Sequence, residues 1–392
     1  MSPTSTPSVL LLATLDTKAE EHAYLATQLR SHGVQVTTID VSLKTDGEML
    51  GGEEKCLAMV AASERALHEV DQSLQSGANA ILGIGGGTGG EIILQVLQSQ
   101  PITFPKVLVT TLPFDPRIAI ADNSIVLVPT LADIAGLNAT LREVFENAAA
   151  MVAGLCQTRR KGGACVDTQS VGITALGVTD GAVRPLLAGL RHRGEETTVF
   201  HANGYGGAAF ARFANRGAFH SIIDLTPHEI TRIHIAGAHV PMKNRFAAAL
   251  DVPRIVLPGG MNFVGLGQKD LMPEHFLARA HYEHSSLFTH AKLTADEMEK
   301  VTKILMADLR AVTGSKSLIV PMGGFSSEDR EGGAIEDADL RGVFRETAMA
   351  HSDADLTIQT IDAHLFAPEI TTAILETHRQ MMADKTEVAH VG

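Results

Sequence analysis

The sequence predicts an α/β fold, in which two tandem domains each carry a mostly parallel, doubly wound sheet. Short apolar runs typical of buried parallel strands alternate with segments of helical periodicity. The same succession of elements restarts near the middle of the chain, whose 392 residues suffice for about two or three domains. Such alternation indicates βαβ units, which place their strands in parallel between layers of helices.

The first half of the chain supplies five predicted strands and four predicted helices. The run Val9–Leu15 is continuously apolar, as expected of a strand covered on both faces. Helices are predicted where apolar residues recur at helical spacing, and Gly33 and Gly77 end two of them. In chain order the predicted elements are strand Val9–Leu15, helix Ala19–His32, strand Val34–Val41, helix Gly51–Gly77, strand Ala80–Ile84, helix Glu91–Gln98, strands Val107–Leu112 and Ser124–Val128, and helix Ala132–Leu155.

The second half repeats this order of parts. A short basic stretch, Arg159–Gly163, precedes the restart, so we place the domain boundary there and predict domains at residues 1–163 and 164–392. The predicted elements of the second domain are strand Val171–Val178, helix Ala182–Arg193, strand Thr197–His201, helix Ala208–Ala214, and strands Ser221–Leu225, Arg254–Leu257, Ser317–Val320 and Leu356–Ile361.

Composition and charge exclude several classes of protein. The formal net charge is −13 and there is no Trp, which disfavours a broad nucleic-acid-binding surface. No window reaches the roughly 18 consecutive apolar residues of a membrane span. The three cysteines contain no C-x-x-C pair, which argues for a reducing compartment. We therefore expect a cytoplasmic protein whose partners are neither nucleic acids nor membranes.

The sharpest local signal is a glycine-rich loop between a predicted strand and a predicted helix. Its backbone can approach an anion closely, and the amides and dipole of the following helix favour phosphate. The spacing matches G-x-G-x-x-G, but neither a ribose-binding acid near Thr110 and Thr111 nor a Walker-type Lys-Ser/Thr pair follows, so we discount NAD and a P-loop. The alternative is a tight turn without a ligand. The candidate residues are Gly85, Gly86, Gly87, Thr88, Gly89 and Gly90.

Other candidates follow other strands, because ligands of open parallel sheets collect beyond the carboxyl ends of the strands. Lys18 could reach a phosphate and Asp16 could hold Mg²⁺, while the alternative is that Asp16 or Thr17 only caps the next helix. The loop Asn203–Gly207 leads into a helix as the first glycine loop does, and it has the same two interpretations. The candidate set is completed by Thr110, Thr111, Asn203, Gly204, Gly206 and Gly207.

Two further segments allow a ligand-binding and a neutral interpretation. His281 and His284 would share one face of a helix and, with His290, could bind a metal ion, whereas exposed histidines are the alternative. The segment Gly323–Gly333 is too rich in glycine and charge for a core element. It is either a ligand-facing loop or a solvated connection.

Six motifs occur in the order seen in the UPF0261 family, which is similar to the N-terminal ATP-binding domain of the tomato mosaic virus resistance protein Tm-1. The resemblance spans nearly the whole chain. It implies two Rossmann-like domains, binding of ATP with Mg²⁺, and self-association as a homodimer or higher oligomer. A similar region is fused to a TIM barrel in plants and fungi, so a separate TIM-barrel partner is expected here. The motifs are Ala13–Lys18, Gly85–Gly90, Phe200–Gly207, Asp224–Thr226, Leu257–Gly259 and Pro321–Asp329.

Three loops of the second domain depart from the family pattern. The chain has Thr179-Asp-Gly181 in place of Thr-Thr-Pro. The segment Pro258–Asn262 lacks a carboxylate that the family carries, and His281–Thr289 lacks an arginine. These changes of charge suggest an altered ligand in the second domain.

Three hypotheses about function remain open at this point. In the first, Thr17, Lys18 and the amides of Gly85–Thr88 contact the phosphates of Mg-ATP, Asp16 assists the metal, and the reaction is phosphoryl transfer or ATP-dependent activation of a small acid. No nucleophile and base form a recognisable pair. The second is a nucleotide-responsive regulatory module. The third is a metal-assisted lyase or hydrolase of a small carbohydrate acid at the domain cleft, acting through His281, His284 or Asp224.

Overall fold

The computed structural model describes residues 6–45, 48–113, 115, 120–158, 169–237, 242 and 245–391, with side chains to residue 384. The chain divides into two compact units, Met1–Cys165 and Val166–Gly392. The basic stretch Arg159–Gly163, at which we predicted the boundary, lies outside the described residues.

The first unit carries five parallel strands in the order β2-β1-β3-β4-β5. All five predicted strands are confirmed. Two predicted helix starts are wrong, because Asn138 accepts a hydrogen bond from the amide of Leu141 and starts the last helix later, while the glycine loop itself forms the first turn of α3. The elements are β1 (Ser8–Ala13), α1 (Ala19–Ser31), β2 (Gln35–Asp40), α2 (Gly52–Gln75), β3 (Ala80–Gly85), α3 (Gly87–Ser99), β4 (Lys106–Thr110), β5 (Ile125–Pro129) and α4 (Ala139–Thr158).

Helices cover both faces of this sheet. Val9 and Leu11 of β1 belong to an apolar cluster with residues of α1 and α4. Leu10 and Leu12 belong to a second cluster with residues of α2 and α3. Because successive residues of a strand point to opposite faces, the continuous apolar run of β1 is the consequence of burial on both sides. The doubly wound arrangement predicted from the sequence is therefore confirmed.

The second unit carries six parallel strands in the order β14-β13-β9-β8-β6-β7. Within the described residues, no helix combines the length and apolar character that crossing a bilayer requires. The elements are β6 (Ser170–Ala175), α5 (Asp180–His192), β7 (Thr197–His201), α6 (Tyr205–Asn215), β8 (Phe219–Asp224), α7 (Glu229–His234), β9 (Arg254–Val256), β10 (Phe263–Leu266), α8 (Glu274–Leu277), β11 (His281–Ser285), β12 (Phe288–Lys292), α9 (Ala295–Ala311), β13 (Lys316–Pro321), α10 (Ala338–Ala350), β14 (Leu356–Ile361) and α11 (Pro368–Val391).

A small antiparallel sheet, β10-β12-β11, is inserted into the second unit between β9 and α9. The sequence analysis did not predict it. The interpretation that placed His281 and His284 on one helix face is wrong, because both residues lie on β11, which is interrupted by a bulge between Glu283 and Ser285. The strand residues are histidine, tyrosine and glutamate, so the apolar alternation that would indicate a strand is missing.

Both large sheets reverse their strand order at one point, between β1 and β3 in the first unit and between β6 and β8 in the second. A crevice at the carboxyl edge of such a point is where open α/β sheets bind ligands. The glycine loop after β3 lies at the first switch point. Its topological counterpart is residues 225–228 after β8, whereas the loop Asn203–Gly207 follows the edge strand β7.

Two glycine substitutions are expected to have opposite effects on stability, because Gly85 lies at the close contact between β3 and α3 and Gly154 does not. A Cβ on Gly85 would lie 2.4 Å from the backbone nitrogen of Gly90, whereas nothing lies within 4 Å of a Cβ on Gly154 inside α4. We expect Gly85→Ala to lower the free energy of unfolding by about 1–3 kcal/mol, and Gly154→Ala to raise it by up to about 1 kcal/mol. Urea unfolding followed by circular dichroism measures both. Equal stability of the two variants would contradict a close contact at Gly85.

Candidate functional site

The candidate site of the first unit starts at the amino terminus of α3. Gly86 precedes the helix, and the amide of Gly90 donates to the Gly86 carbonyl at 2.9 Å to close the first turn. The amides of Gly87, Thr88 and Gly89 are then the first three of the helix and have no intrahelical acceptor. This turn has no side-chain cap and no acidic residue, so the positive end of the helix dipole is uncompensated.

Packing explains Gly85, Gly89 and Gly90 in this loop but not Gly86 or Gly87. A Cβ on Gly89 would lie 3.0 Å from Cγ2 of Thr14, and one on Gly90 would lie 3.2 Å from the Gly85 carbonyl oxygen. Together with Gly85, these residues let α3 begin directly against β1 and β3. Gly87 is exposed, and nothing lies within 4 Å of the position its Cβ would take. The alternative of a tight turn without a ligand therefore does not account for Gly87.

The loop after β1 is closed by hydrogen bonds within its own backbone. The Thr14 carbonyl accepts hydrogen bonds from the amides of Thr17 at 3.2 Å and Lys18 at 2.8 Å. Asp16 and Thr17 are exposed, and the residue that precedes α1 is Lys18, whose side chain makes no cap. The alternative that Asp16 or Thr17 caps α1 is therefore wrong, and the Thr17 hydroxyl instead lies 3.0 Å from the Thr14 hydroxyl.

Lys18 lies at the same edge of the sheet but its ammonium group has a protein partner. It donates to the carbonyl oxygen of the buried Ile134, in the segment that follows β5. Thr110 is buried and its hydroxyl accepts from the amide of Leu112 at 3.3 Å. Thr111 is half-buried, with Oγ1 3.9 Å from the Cβ position of Gly86. Thr14 and Thr111 thus lie next to the glycine turn, whereas the side chain of Lys18 extends to the segment that follows β5.

Asp40 and Ser42, which the sequence analysis did not select, position the loop after β1. The Asp40 carboxylate accepts from the amides of Leu15 at 3.2 Å and Ser42 at 3.0 Å and from the Ser42 hydroxyl, and Ser42 Oγ accepts from the Asp16 amide. Burial opposes ionisation of Asp40, but the hydrogen bonds from Ser42 and Leu15 outweigh it and lower its pKa. The available signal was their place immediately after β2, which corresponds to that of Asp16 after β1.

A surface cleft is found in each unit. The first-unit cleft has a volume of about 400 Å³ and begins one residue beyond Ser42, at the carboxyl end of β2. The second-unit cleft measures about 390 Å³, and its charges are paired internally, with Lys292 Nζ 2.6 Å from Asp337 and Arg279 2.6 Å from Glu297. The first cleft is lined by Leu43, Lys44, Thr45, Glu48, Leu50, Glu54 and Ala58.

In the second unit, a carboxylate of the protein itself occupies the predicted glycine loop. The amide of Gly204 donates to Oε1 of Glu229 at 2.7 Å, and a Cβ on Gly207 would lie 2.1 Å from the same oxygen. Asn203 Oδ1 accepts from the amide of Gly206 at 3.2 Å. Gly204 has a positive φ of 98°, and a Cβ on Gly206 would lie 2.0 Å from the carbonyl oxygen of His201, so the three glycines are accounted for without a ligand. Ligand contacts by the four loop residues stay a prediction.

Glu229 belongs to a buried ion network centred on Arg245. Arg245 Nε lies 2.6 Å from Glu229, and its two terminal nitrogens lie 2.9 Å from the two oxygens of Asp224. Thr174 also donates to Asp224, at 2.6 Å. Burial disfavours the charged forms, but the mutual attraction outweighs it, so the pKa of Asp224 is lowered and that of Arg245 is raised. Asp224 therefore has a structural partner at both oxygens.

The three histidines of the predicted metal site make different contacts. His281 Nδ1 lies 2.8 Å from the carbonyl oxygen of Arg279, while His284 stacks on His290 with ring centroids 4.8 Å apart. In the part of the chain that the structure describes, no group of three or more His, Cys, Asp or Glu side chains is placed to hold a metal ion. The metal hypothesis for His281, His284 and His290 therefore lacks a complete set of protein ligands there.

A buried carboxylate within the glycine-rich segment Gly323–Gly333 holds this segment in place. The buried carboxylate of Asp329 accepts from the amides of Phe325 at 2.9 Å and Asp337 at 3.2 Å, and it pairs with Arg341. This arrangement gives the charge in the segment a structural role.

A buried histidine at the second switch point was missed. His228 is 2% exposed, and its Nδ1 lies 2.7 Å from the carbonyl oxygen of Gly260. Desolvation lowers the pKa of His228 from 6.5 to about 3, although the hydrogen bond to Gly260 partly opposes this. The neutral imidazole is therefore the form present near neutral pH. The usable signal was its position four residues beyond the end of β8.

The lowered pKa of His228 predicts a pH dependence of stability. The unfolded chain binds this proton between pH 6.5 and about 3 and the folded chain does not, so the stabilisation is complete above pH 6.5 and decreases below it by up to about 1.4 kcal/mol per pH unit. His228→Asn retains an amide donor for Gly260 and cannot titrate. We expect urea unfolding of His228→Asn to depend less on pH between 7.5 and 5 than that of the wild type or of the exposed control His275→Asn. An identical dependence in all three would contradict the burial of a neutral His228.

Comparison with known proteins places both units in one family. The profile of the Uncharacterised protein family (UPF0261) N-terminal domain matches residues 7–53 and 46–161, and that of the C-terminal domain matches residues 168–382. A UPF0261 protein of Mesorhizobium japonicum is 29% identical over 389 residues, covering 93% of this chain and 97% of the relative. A UPF0261 protein of Clostridium tetani is 27% identical over 370 residues, covering 86% and 91%.

The chain is also similar to a plant protein. The ToMV resistance protein Tm-1 of Solanum lycopersicum is 25% identical over 418 residues, which cover 95% of this chain and 55% of the tomato protein. The bacterial relatives thus match nearly end to end, and the tomato relative matches over about half its length. Together with the two matching domain profiles, these similarities show that the chain belongs to the UPF0261 family.

Proposed function

We propose that the first unit binds Mg-ATP at the switch point between β1 and β3. The observation that carries the proposal is the exposed start of α3, where uncapped amides lie beside Gly87 and no packing contact requires that glycine. A phosphate placed there accepts from main-chain amides and meets the positive end of the helix dipole. The ATP binding that the family resemblance implies agrees with this chemistry.

The surrounding polar residues suit a triphosphate. Thr17 and Thr111 offer hydroxyl groups near the turn, and Lys18 adds a positive charge if its ammonium exchanges the Ile134 carbonyl for a phosphate oxygen. Asp16 is an exposed carboxylate, and Mg²⁺ in nucleotide sites takes one or two carboxylates together with phosphate oxygens and waters. The bound Mg²⁺ would neutralise phosphate charge, while the residues of the chain bind and orient the nucleotide.

A nucleoside would fit the cleft at the end of β2. Its volume of about 400 Å³ lies within the common range for small-molecule pockets. Ser42 lies between this cleft and the proposed phosphate site. Its hydroxyl accepts a hydrogen bond from the amide of Asp16, and the next residue, Leu43, lines the cleft. The bound nucleotide would therefore run along the carboxyl edge from α3 toward β2.

The reaction that we propose is phosphoryl transfer or activation of a small acid, since positioned amides and Mg²⁺ stabilise charge on a transferring phosphoryl group. No described residue is assigned as a catalytic nucleophile or base. Self-association as a homodimer or higher oligomer and a separate TIM-barrel partner stay predictions.

A substitution at Gly87 tests the nucleotide site. Valine at this position projects into open space, so we expect Gly87→Val to fold but to lower the affinity for Mg-ATP at least about tenfold by blocking the amides. The matched control is Gly177→Val, because Gly177 is likewise exposed, has nothing within 4 Å of its Cβ position and lies in the second unit.

The measurement is the rise in unfolding temperature on addition of Mg-ATP to the full chain, together with isothermal titration calorimetry. The wild type and Gly177→Val are expected to be stabilised equally by the ligand, because binding to the folded state alone raises its stability. A Gly87→Val protein that binds Mg-ATP as the wild type does would remove the glycine turn from the site.

A further inference from the structure

Asp40 is the last residue of β2, the strand at one edge of the first sheet. It pairs with Ala13, the last residue of β1, and so lies level with the start of the loop Thr14–Lys18. The strand order β2-β1-β3 separates it from the glycine turn by one strand. Because neighbouring strands lie about 4.8 Å apart, the ends of β2 and β3 are about 10 Å apart along this edge. An acid is thus found on the β2 side of β1 and not near Thr110 and Thr111.

The two carboxylate oxygens of Asp40 have different surroundings. Oδ1 accepts hydrogen bonds from the amides of Leu15 at 3.2 Å and Ser42 at 3.0 Å, and from the hydroxyl of Ser42. Oδ2 has no hydrogen-bond partner among the residues that the structure describes, and the side chain is only half-buried. One oxygen is therefore committed to the fold, and the other is left to accept from a ligand.

The charge on Asp40 determines which ligand group can meet it. Burial opposes ionisation, but the hydrogen bonds from Ser42 and Leu15 outweigh it and lower the pKa of Asp40. Lys44, which lines the cleft, is close enough for its charge to add to this effect. The carboxylate is therefore charged near neutral pH, so it only accepts hydrogen bonds and it repels a phosphate. The group that suits Oδ2 is a donor without negative charge.

Nucleotides carry such donors between the phosphates and the base, as the two hydroxyls of the ribose. A carboxylate beyond a strand end binds a ribose hydroxyl in dinucleotide-binding folds. The same chemistry is available to Asp40, whose accepting oxygen lies at the carboxyl edge of the sheet.

The neighbours of Asp40 follow the order of the parts of a nucleotide. On one side, the Ser42 hydroxyl accepts from the amide of Asp16 at 3.2 Å, in the loop proposed to meet the phosphates and Mg²⁺. On the other side, Leu43 begins the cleft of about 400 Å³, where Leu50 adds apolar contact surface for a base. A ribose joins phosphate to base in the ligand, so it would lie beside Asp40.

We propose that Oδ2 of Asp40 accepts a hydrogen bond from a ribose hydroxyl of the bound nucleotide and thereby selects ribonucleotides. The inference rests on the proposed nucleotide site and adds a specificity-determining residue to it. Ser42 is a positioning residue, because its amide and hydroxyl hold Oδ1 and so orient Oδ2. Phosphate binding at the glycine turn does not require this contact, so the two can be tested separately.

The test compares Mg-ATP with the magnesium complex of 2′,3′-dideoxy-ATP, which lacks both ribose hydroxyls but keeps the triphosphate and the base. Isothermal titration calorimetry on the full chain measures both affinities. We expect the wild type to bind dideoxy-ATP at least about tenfold more weakly, because a hydrogen bond to a charged acceptor is lost. Gly87→Val is expected to weaken both ligands by the same factor, since they share the triphosphate.

Asp40→Asn is the decisive variant, because its Oδ1 can still accept from Leu15 and Ser42 while a neutral donor replaces Oδ2. The ratio of the two affinities cancels any effect of the lost charge on the triphosphate. We expect this ratio to fall from at least about ten in the wild type to below about three in Asp40→Asn. The matched control is Asp362→Asn, which removes the same charge from an exposed residue directly after β14, the edge strand of the second sheet. It is expected to keep the wild-type ratio.

The outcomes separate this inference from the nucleotide site itself. Equal affinity of the wild type for the two nucleotides, a comparison that needs no variant, would overturn the ribose contact and leave the nucleotide site in place. A folded Asp40→Asn protein with an unchanged ratio would do the same. Absence of Mg-ATP binding by the wild type would instead overturn the nucleotide site, and the ribose contact with it.

Discussion

The close approach of α3 to the carboxyl end of β3 is the constraint on which the candidate nucleotide site depends. Gly85 and Gly90 bring two backbones to a distance that any Cβ would prevent, so the helix begins without an intervening loop. Its first amides therefore lie at the edge where β1 and β3 separate. The helix dipole, the uncapped amides and the Thr14–Lys18 loop lie near one another only because this contact holds the helix there.

The two units share one strand order, but their polar groups are arranged differently. In the first unit, the amides at the start of α3 face solvent. In the second, Glu229 accepts from the amide of Gly204 and shares Arg245 with Asp224. Removing one member of a buried ion network costs about 3–5 kcal/mol, because a charge is then left without its partner. In the second unit these polar groups are thus engaged in an internal network.

The central strands that were predicted correctly share one physical cause. Strands such as β1, β3 and β4 are buried on both faces, so their apolar runs are visible in the sequence, as in Val9–Leu15. Strands β10 to β12 were missed because β10 has only four residues, while β11 and β12 carry mostly polar and aromatic residues, which leaves no extended apolar period. The first turn of α3 was taken for a loop because glycine disfavours helix on average, whereas here packing against β3 outweighs that preference.

The sequence by itself determined the fold class, the two large parallel sheets and the family, since buried apolar strands and the order of motifs can both be read along the chain. It also located Gly85–Gly90 and Asp16–Lys18 as residues beyond strand ends. Only the tertiary structure decided which glycines are required by packing and which carboxylate lies against Gly204. It alone brought Asp40 against the amides of Leu15 and Ser42. These contacts join residues distant in the chain, and their geometry depends on how strands and helices pack together.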